Sequence, residues 1–136
     1  MKKLLSIAYT NTTFNLATFL LRVSLGILMC INHGLPKLTN YSELQHTFFD
    51  PFHIGHRYSL MLCLFAEVFT SLFLILGLFS RIAAFILLID MCVAVFLFHR
   101  GQELKYIEGA INFLIGFTCI LLIGPGKISF DAITGK

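Results

Sequence analysis

The sequence predicts an all-α membrane protein: a four-transmembrane-helix antiparallel bundle, with a segment lying on the membrane face between the first and second helices. Three observations lead there. The 136 residues are 57% hydrophobic and only 12% charged, about half the charge of an ordinary soluble domain. Ten Lys+Arg and seven Asp+Glu cannot clothe the surface of a small domain in water. Four continuously apolar windows, 14–32, 59–79, 82–98 and 107–123, are each long enough to cross roughly 30 Å of hydrocarbon as a helix. They lack the strict alternation of barrel strands. Length and continuity place residues 1–136 in a single domain.

The start, MKKLLSIAYTNTTF, is charged like a leader, but its apolar stretch stops at Tyr9 after about five residues, too few for a signal core. It is expected to be a short cytoplasmic tail. After the first span comes the one sizeable connection, 34–58, where Phe48, Phe49, Phe52 and Ile54 alternate with Asp50-Pro51, His53 and His56. Such a mixture suits a segment on the membrane face. Only Ser80 and Arg81 separate the second and third windows, which therefore form a tight antiparallel hairpin. The loop 99–106 is short and polar, and Gly124-Pro125-Gly126 ends the fourth span. An even number of spans puts both termini on one side. Lys2, Lys3, Arg81, Lys127 and Lys136 fall there, against Lys37, Arg57, Arg100 and Lys105 opposite, a small bias towards cytoplasmic termini.

Charged groups at membrane depth are costly and normally turn inward. Arg22, Glu67 and Asp90 each count to roughly 12–13 Å from a span end, so they are expected to share one layer as a buried ion-pair network. Two readings of that layer stand side by side, a register-fixing ion pair and a proton path or ligand anchor. A second polar layer gathers at the face away from the termini: His33 and Lys37 at the end of the first span, His99 at the end of the third, Glu108 at the start of the fourth. Arg22, Gly26, Cys30, His33 and Lys37 recur every three or four residues, as do Glu108, Asn112, Gly116 and Cys119, giving the polar-and-small stripes of inward bundle faces. Cys30, Cys63, Cys92 and Cys119 sit one per span with no metal or disulfide spacing and read as packing residues. His53-Ile54-Gly55-His56 reads as solvated loop histidines, and no metal site is expected. The chain carries no haem, flavin or Fe–S motif, no P-loop, no Ser-His-Asp set and no basic run longer than Lys2-Lys3, so nucleic acid is not an expected partner.

These residues fall in a familiar order. Arg22…Gly26…His33-Gly34-Leu35-Pro36-Lys37-Leu38, then Glu67 with Leu76-Gly77-Leu78-Phe79-Ser80-Arg81, then Asp90-Met91, Ala94 and His99, then Glu108 and Gly124-Pro125-Gly126 with Ser129 and Asp131, together resemble the successive blocks of the DoxX family. Pro125 departs from the family pattern. The resemblance implies a four-helix membrane bundle in the bacterial inner (plasma) membrane. It also implies kinship with the membrane subunit of thiosulfate:quinone oxidoreductase and with small proteins of redox complexes that resist oxidative stress. It implies a shared polar pocket as well, in which Glu67, His99 and Glu108 are candidate catalytic residues, and His33, Lys37, Glu67, His99, Glu108 and Asn112 line a site for a quinone or similar apolar ligand. The expected function is a quinone-linked membrane redox subunit, with the lipid bilayer, a soluble redox protein and a second copy of the chain as partners. The alternatives are a non-catalytic anchor for a soluble redox enzyme, and a small-solute or proton transporter.

Overall fold

The computed structural model describes residues 8–135, so Lys2, Lys3 and Lys136 of the charge comparison lie outside the described residues. Six helices follow one another: α1 (Asn11–Thr39), α2 (Tyr41–Leu44), α3 (His56–Leu76), α4 (Ser80–Phe98), α5 (Leu104–Ile123) and α6 (Phe130–Ile133). No strand occurs among the described residues. Four of them, α1, α3, α4 and α5, are long and apolar enough to cross a membrane. The protein is a multi-pass membrane protein, and its wide apolar exposure (Leu20, Ile31, Phe69, Phe85, Phe96, Leu122) faces lipid.

Helix α1 starts where Thr10 and Thr13 cap each other: the Thr13 N–H donates to Thr10 Oγ1 at 3.2 Å, and the Thr10 N–H to Thr13 Oγ1 at 3.1 Å. It does not stop at Asn32 as the hydropathy window does. Residues Cys30–Gly34 widen into π-helical turns, in which the Leu35 N–H reaches back five residues to Cys30 O. That loosened ladder takes up Pro36, which lacks an N–H and would crowd a regular helix. Seven further residues are thereby carried on the same helix, Lys37 among them.

The α3–α4 turn also differs from expectation. Gly77 takes the left-handed conformation at φ 75°, Phe79 does so at φ 48°, and Ser80 and Arg81 already belong to α4. A Cβ on Gly77 would come within 1.8 Å of Arg22 Nη1, so only glycine fits that corner. The N-terminus of α4 is capped by the C-terminal tail: the N–H groups of Phe79 and Ser80 donate to Asp131 Oδ1 and Oδ2 at 2.7 and 2.8 Å.

One apolar core joins all four spans: Met29, Leu74, Ala83, Ala84, Leu87, Met91, Phe117 and Ile120. A smaller one, of Cys30, Leu60, Leu64 and Val68, is covered by Tyr41, Leu44 and Phe48 of the connection between α1 and α3. The rest of that connection leaves Phe52 and Ile54 exposed, as is Tyr58 in the first turn of α3, as an interfacial segment would. Helices α1 and α3 approach closely at Gly26 and Gly34. A Cβ at these positions would lie 3.2 Å from Ser71 O and 2.9 Å from Glu67 O respectively, the small-residue contact by which membrane helices associate.

Candidate functional site

The register of α1 against α3 decides which charges meet. Gly34 faces Glu67, and Gly26 faces Ser71 and Ile75. Arg22 lies beside Gly77 and donates from Nη1 to Leu74 O at 3.2 Å. Arg22 is therefore about twelve residues, roughly 18 Å of helix, from the level of Glu67. The expected Arg22–Glu67–Asp90 network does not form. Counting depth from the ends of the hydropathy windows treated those ends as level and so misplaced the register of α1 against α3. Arg22, 1% exposed, instead serves the tail: its Nη2 donates to Ile128 O at 2.6 Å, and the Asp131 carboxylate acts on it electrostatically.

The extension of α1 through Pro36 brings a different cation to Glu67. Lys37 Nζ donates to Glu67 Oε1 in a buried ion pair, with the Lys37 side chain 26% exposed and that of Glu67 only 3%. The second oxygen, Glu67 Oε2, is buried and has no hydrogen-bond partner among the described residues. Glu67 lies in a π-helical stretch of α3, Phe65–Thr70, a local widening frequent at functional sites. Cys63, one turn before it, and Asp90 of α4 complete the group. One ligand atom from each of Cys63, Glu67 and Asp90 lies within 4.8 Å of the other two. Cys63 and Asp90 are half-buried, whereas Glu67 is fully buried.

Along the α3–α4 seam runs an apolar groove of about 330 Å³, lined by Phe65, Thr70, Phe73, Phe79, Ile82, Ala83 and Ile86. Ile82, Ile86 and Asp90 are four residues apart on α4 and share a face. The stripe that floors the groove thus ends in the Asp90 carboxyl, about one helical turn beyond Ile86. A second hollow, of about 440 Å³, belongs to the α4–α5 loop at Gly101, Gln102, Glu103 and Tyr106.

The remaining candidates are distributed elsewhere. His33 sets its ring edge-on to Phe113 of α5 (centroids 5.4 Å apart) and lies within electrostatic range of Glu67 and Lys37. His99 donates from Nδ1 to Gln102 Oε1 at 2.7 Å and packs on Phe98, which fixes it to the loop. Glu108 and Asn112 share an exposed face of α5 near its start and have no part in the group. The sequence reading missed Cys63 as a site residue. Its spacing of four from Glu67 was the available signal, because it sets both side chains on one helix face.

Chemically, the arrangement offers an ammonium, two carboxyl groups and a thiol, about one turn of α4 beyond an apolar groove. No curated protein and no solved structure matches the chain. The DoxX family model matches residues 17–100. That segment contains Lys37, Cys63, Glu67, Asp90 and the whole α3–α4 groove, while α5 and the tail fall beyond it. With a match over more than half of its length and four apolar helices in the expected order, the chain belongs to the DoxX family.

Proposed function

We propose that the protein binds a quinone, or an apolar carbonyl compound of similar shape, in the α3–α4 groove, as a quinone-linked membrane redox subunit. The observation that carries this reading is Glu67 Oε2, buried and without a hydrogen-bond partner among the described residues, in a cluster with Lys37 and Asp90 whose Asp90 follows the groove residue Ile86 by about one turn of α4. Ligand sites pair mostly apolar walls with a few placed polar groups. The ring and tail lie along Phe65, Phe73, Ile82 and Ile86, and a ring oxygen meets Asp90. Reduction of a quinone to its quinol takes two electrons and two protons. Lys37 and Asp90 are the groups positioned to hold those protons. Electrons come from outside the chain, from a soluble redox protein or a small reductant, because the sequence carries no haem, flavin or Fe–S motif. The bacterial inner membrane, with cytoplasmic termini, is the setting this reading takes.

The test is organic extraction of the protein purified in mild detergent, followed by chromatography and mass spectrometry. Near-stoichiometric quinone is expected in the wild type and in His99→Ala, since His99 is held by Gln102. Asp90→Asn and Glu67→Gln should lose most of it. Quinone only at the trace level of an unrelated membrane protein, or retained equally in Asp90→Asn, removes the assignment.

A further inference from the structure

We infer that Cys63, Glu67 and Asp90 form a binding site for one divalent transition-metal ion, zinc or ferrous iron, a site that holds whether or not a quinone occupies the groove. The three residues bring a thiol and two carboxyls, the mixed sulfur–oxygen donor set that suits borderline ions of this kind. Their ligand atoms lie within 4.8 Å of one another. A tetrahedral zinc site sets such atoms about 3.5 Å apart, so side-chain rotations of roughly 1 Å close it without moving a helix. Cys63 and Glu67, four apart on α3, present two ligands from one face, the spacing that helical metal sites use. Asp90 supplies the third from the neighbouring helix.

Independent support comes from Glu67 itself. The residue is 2% exposed, and among the described residues its Oε2 has no hydrogen-bond partner although its Oε1 is held by Lys37. A buried carboxylate oxygen left bare is costly, and a metal ion would satisfy it. Lys37 then acts as a positioning residue: it fixes the carboxylate so that one oxygen stays free for the ion. The charge count also closes. A divalent cation with Lys37 as ammonium contributes three positive charges, and Cys63 thiolate with Glu67 and Asp90 carboxylates contributes three negative ones. The loaded site is therefore neutral, as a membrane interior favours. Three protein ligands leave a fourth position, on the half-buried side of Cys63 and Asp90, open to water or to a ligand oxygen.

The deciding experiment is a titration of the chelator-treated, detergent-purified full chain with Co²⁺, read in the near-ultraviolet for thiolate-to-cobalt charge transfer, and then displaced with Zn²⁺. The expected result is one equivalent of cobalt with a charge-transfer band, an unchanged band in Cys92→Ser and none in Cys63→Ser. Asp90→Asn should bind at least about tenfold more weakly. A wild type with no thiolate band after one equivalent overturns the proposal, whatever the variants do, so a variant that fails to fold does not shelter it. A band that survives Cys63→Ser, or equal affinity in Asp90→Asn, overturns it too. Quinone extraction from the same preparations reads the groove separately, so either assignment can fall while the other stands.

Discussion

Replacing Lys37 with Met removes the cation from a carboxylate that cannot reach water. The Glu67 side chain is 3% exposed, whereas that of Lys37 is 26% exposed. Breaking a buried pair by removing one partner costs about 3–5 kcal/mol. The partial exposure of Lys37 lowers the expectation to about 3 kcal/mol for Lys37→Met. The reverse change, Glu67→Met, leaves an ammonium on a long flexible stem that can turn to the nearby water, and should cost only about 1 kcal/mol. Lys37→Met/Glu67→Met exchanges both charges for apolar groups of similar size, and such exchanges are often neutral or stabilising. The double variant should therefore return to within about 1 kcal/mol of the wild type. Unfolding by SDS titration from mixed micelles, followed by far-ultraviolet circular dichroism, measures all three and gives the coupling energy. Quinone extraction from the double variant adds the functional arm: it should be folded and empty. A Lys37→Met variant as stable as the wild type, or a double variant no better than Lys37→Met, refutes the ion pair as described.

Three further outcomes follow from the opposite end of the bundle and from the membrane-face segment. Gly77→Ala combines a strained left-handed residue with a Cβ 1.8 Å from Arg22 Nη1. Strain of about 1 kcal/mol and a lost charge-assisted hydrogen bond should lower stability by about 3 kcal/mol in the same SDS titration. Asp131→Ala strips the cap from Phe79 and Ser80. It should cost about 1–2 kcal/mol and speed amide exchange at the start of α4, read by hydrogen–deuterium mass spectrometry. Asp50 experiences a desolvation that raises its pKa, but the N–H groups of Gly55 and Ile54, with His56 and His53 nearby, outweigh it and hold the carboxyl below its ordinary value of 3.8. The turn it closes is thus fully supported above pH 3.8 and loosens as the pH falls through the lower folded value. Protease nicking at 50–55 should accelerate only in that acid range, and at all pH values in Asp50→Ala.

Four spans and their antiparallel order were legible because hydrocarbon imposes a length and a composition that no local detail overrides. The membrane-face segment was legible from its interleaved phenylalanines and polar residues, of which Phe48 packs inward and Phe52 stays exposed. What escaped was register. The first apolar window closed at Asn32 on hydropathy, yet the π-helical turns at Cys30–Gly34 carry the helix on to Thr39. Depth counted from the window ends, as if all windows stood level, put Arg22 level with Glu67, whereas it lies beside Leu74 and Gly77 at the end of α3, and the true partner, Lys37, fell into a separate layer. The corner at Gly77–Phe79 escaped for another reason: its cap, Asp131, lies about fifty residues further along the chain. Cys63 was read as packing because its spacing was weighed only against the other cysteines and not against Glu67. Only the register of α3 against α4 gives it Asp90 as a neighbour.

The two cations of α1 show why the chemistry belongs to one end of the bundle and the architecture to the other. Arg22 and Lys37 are about fifteen residues, roughly 22 Å, apart on one helix. Both are drawn inward, but their surroundings differ in what is left over. Around Arg22 the guanidinium meets two carbonyl oxygens and the field of Asp131, whose own oxygens close the α3–α4 corner. Glycine is obligatory there, and apart from Arg22 Nε and Ser80 Oγ, buried without a hydrogen-bond partner among the described residues, the groups that meet join the tail to the turn. Around Lys37 one carboxylate oxygen is engaged and the other is not, while Asp90 and Cys63 add a carboxyl and a thiol with no further cation beside them. A purely structural pair has no need of that surplus, which in a membrane interior carries a desolvation cost without any return in stability. The surplus of acceptors and exchangeable protons, about one turn of α4 beyond the groove, is what a ligand or a metal ion would use.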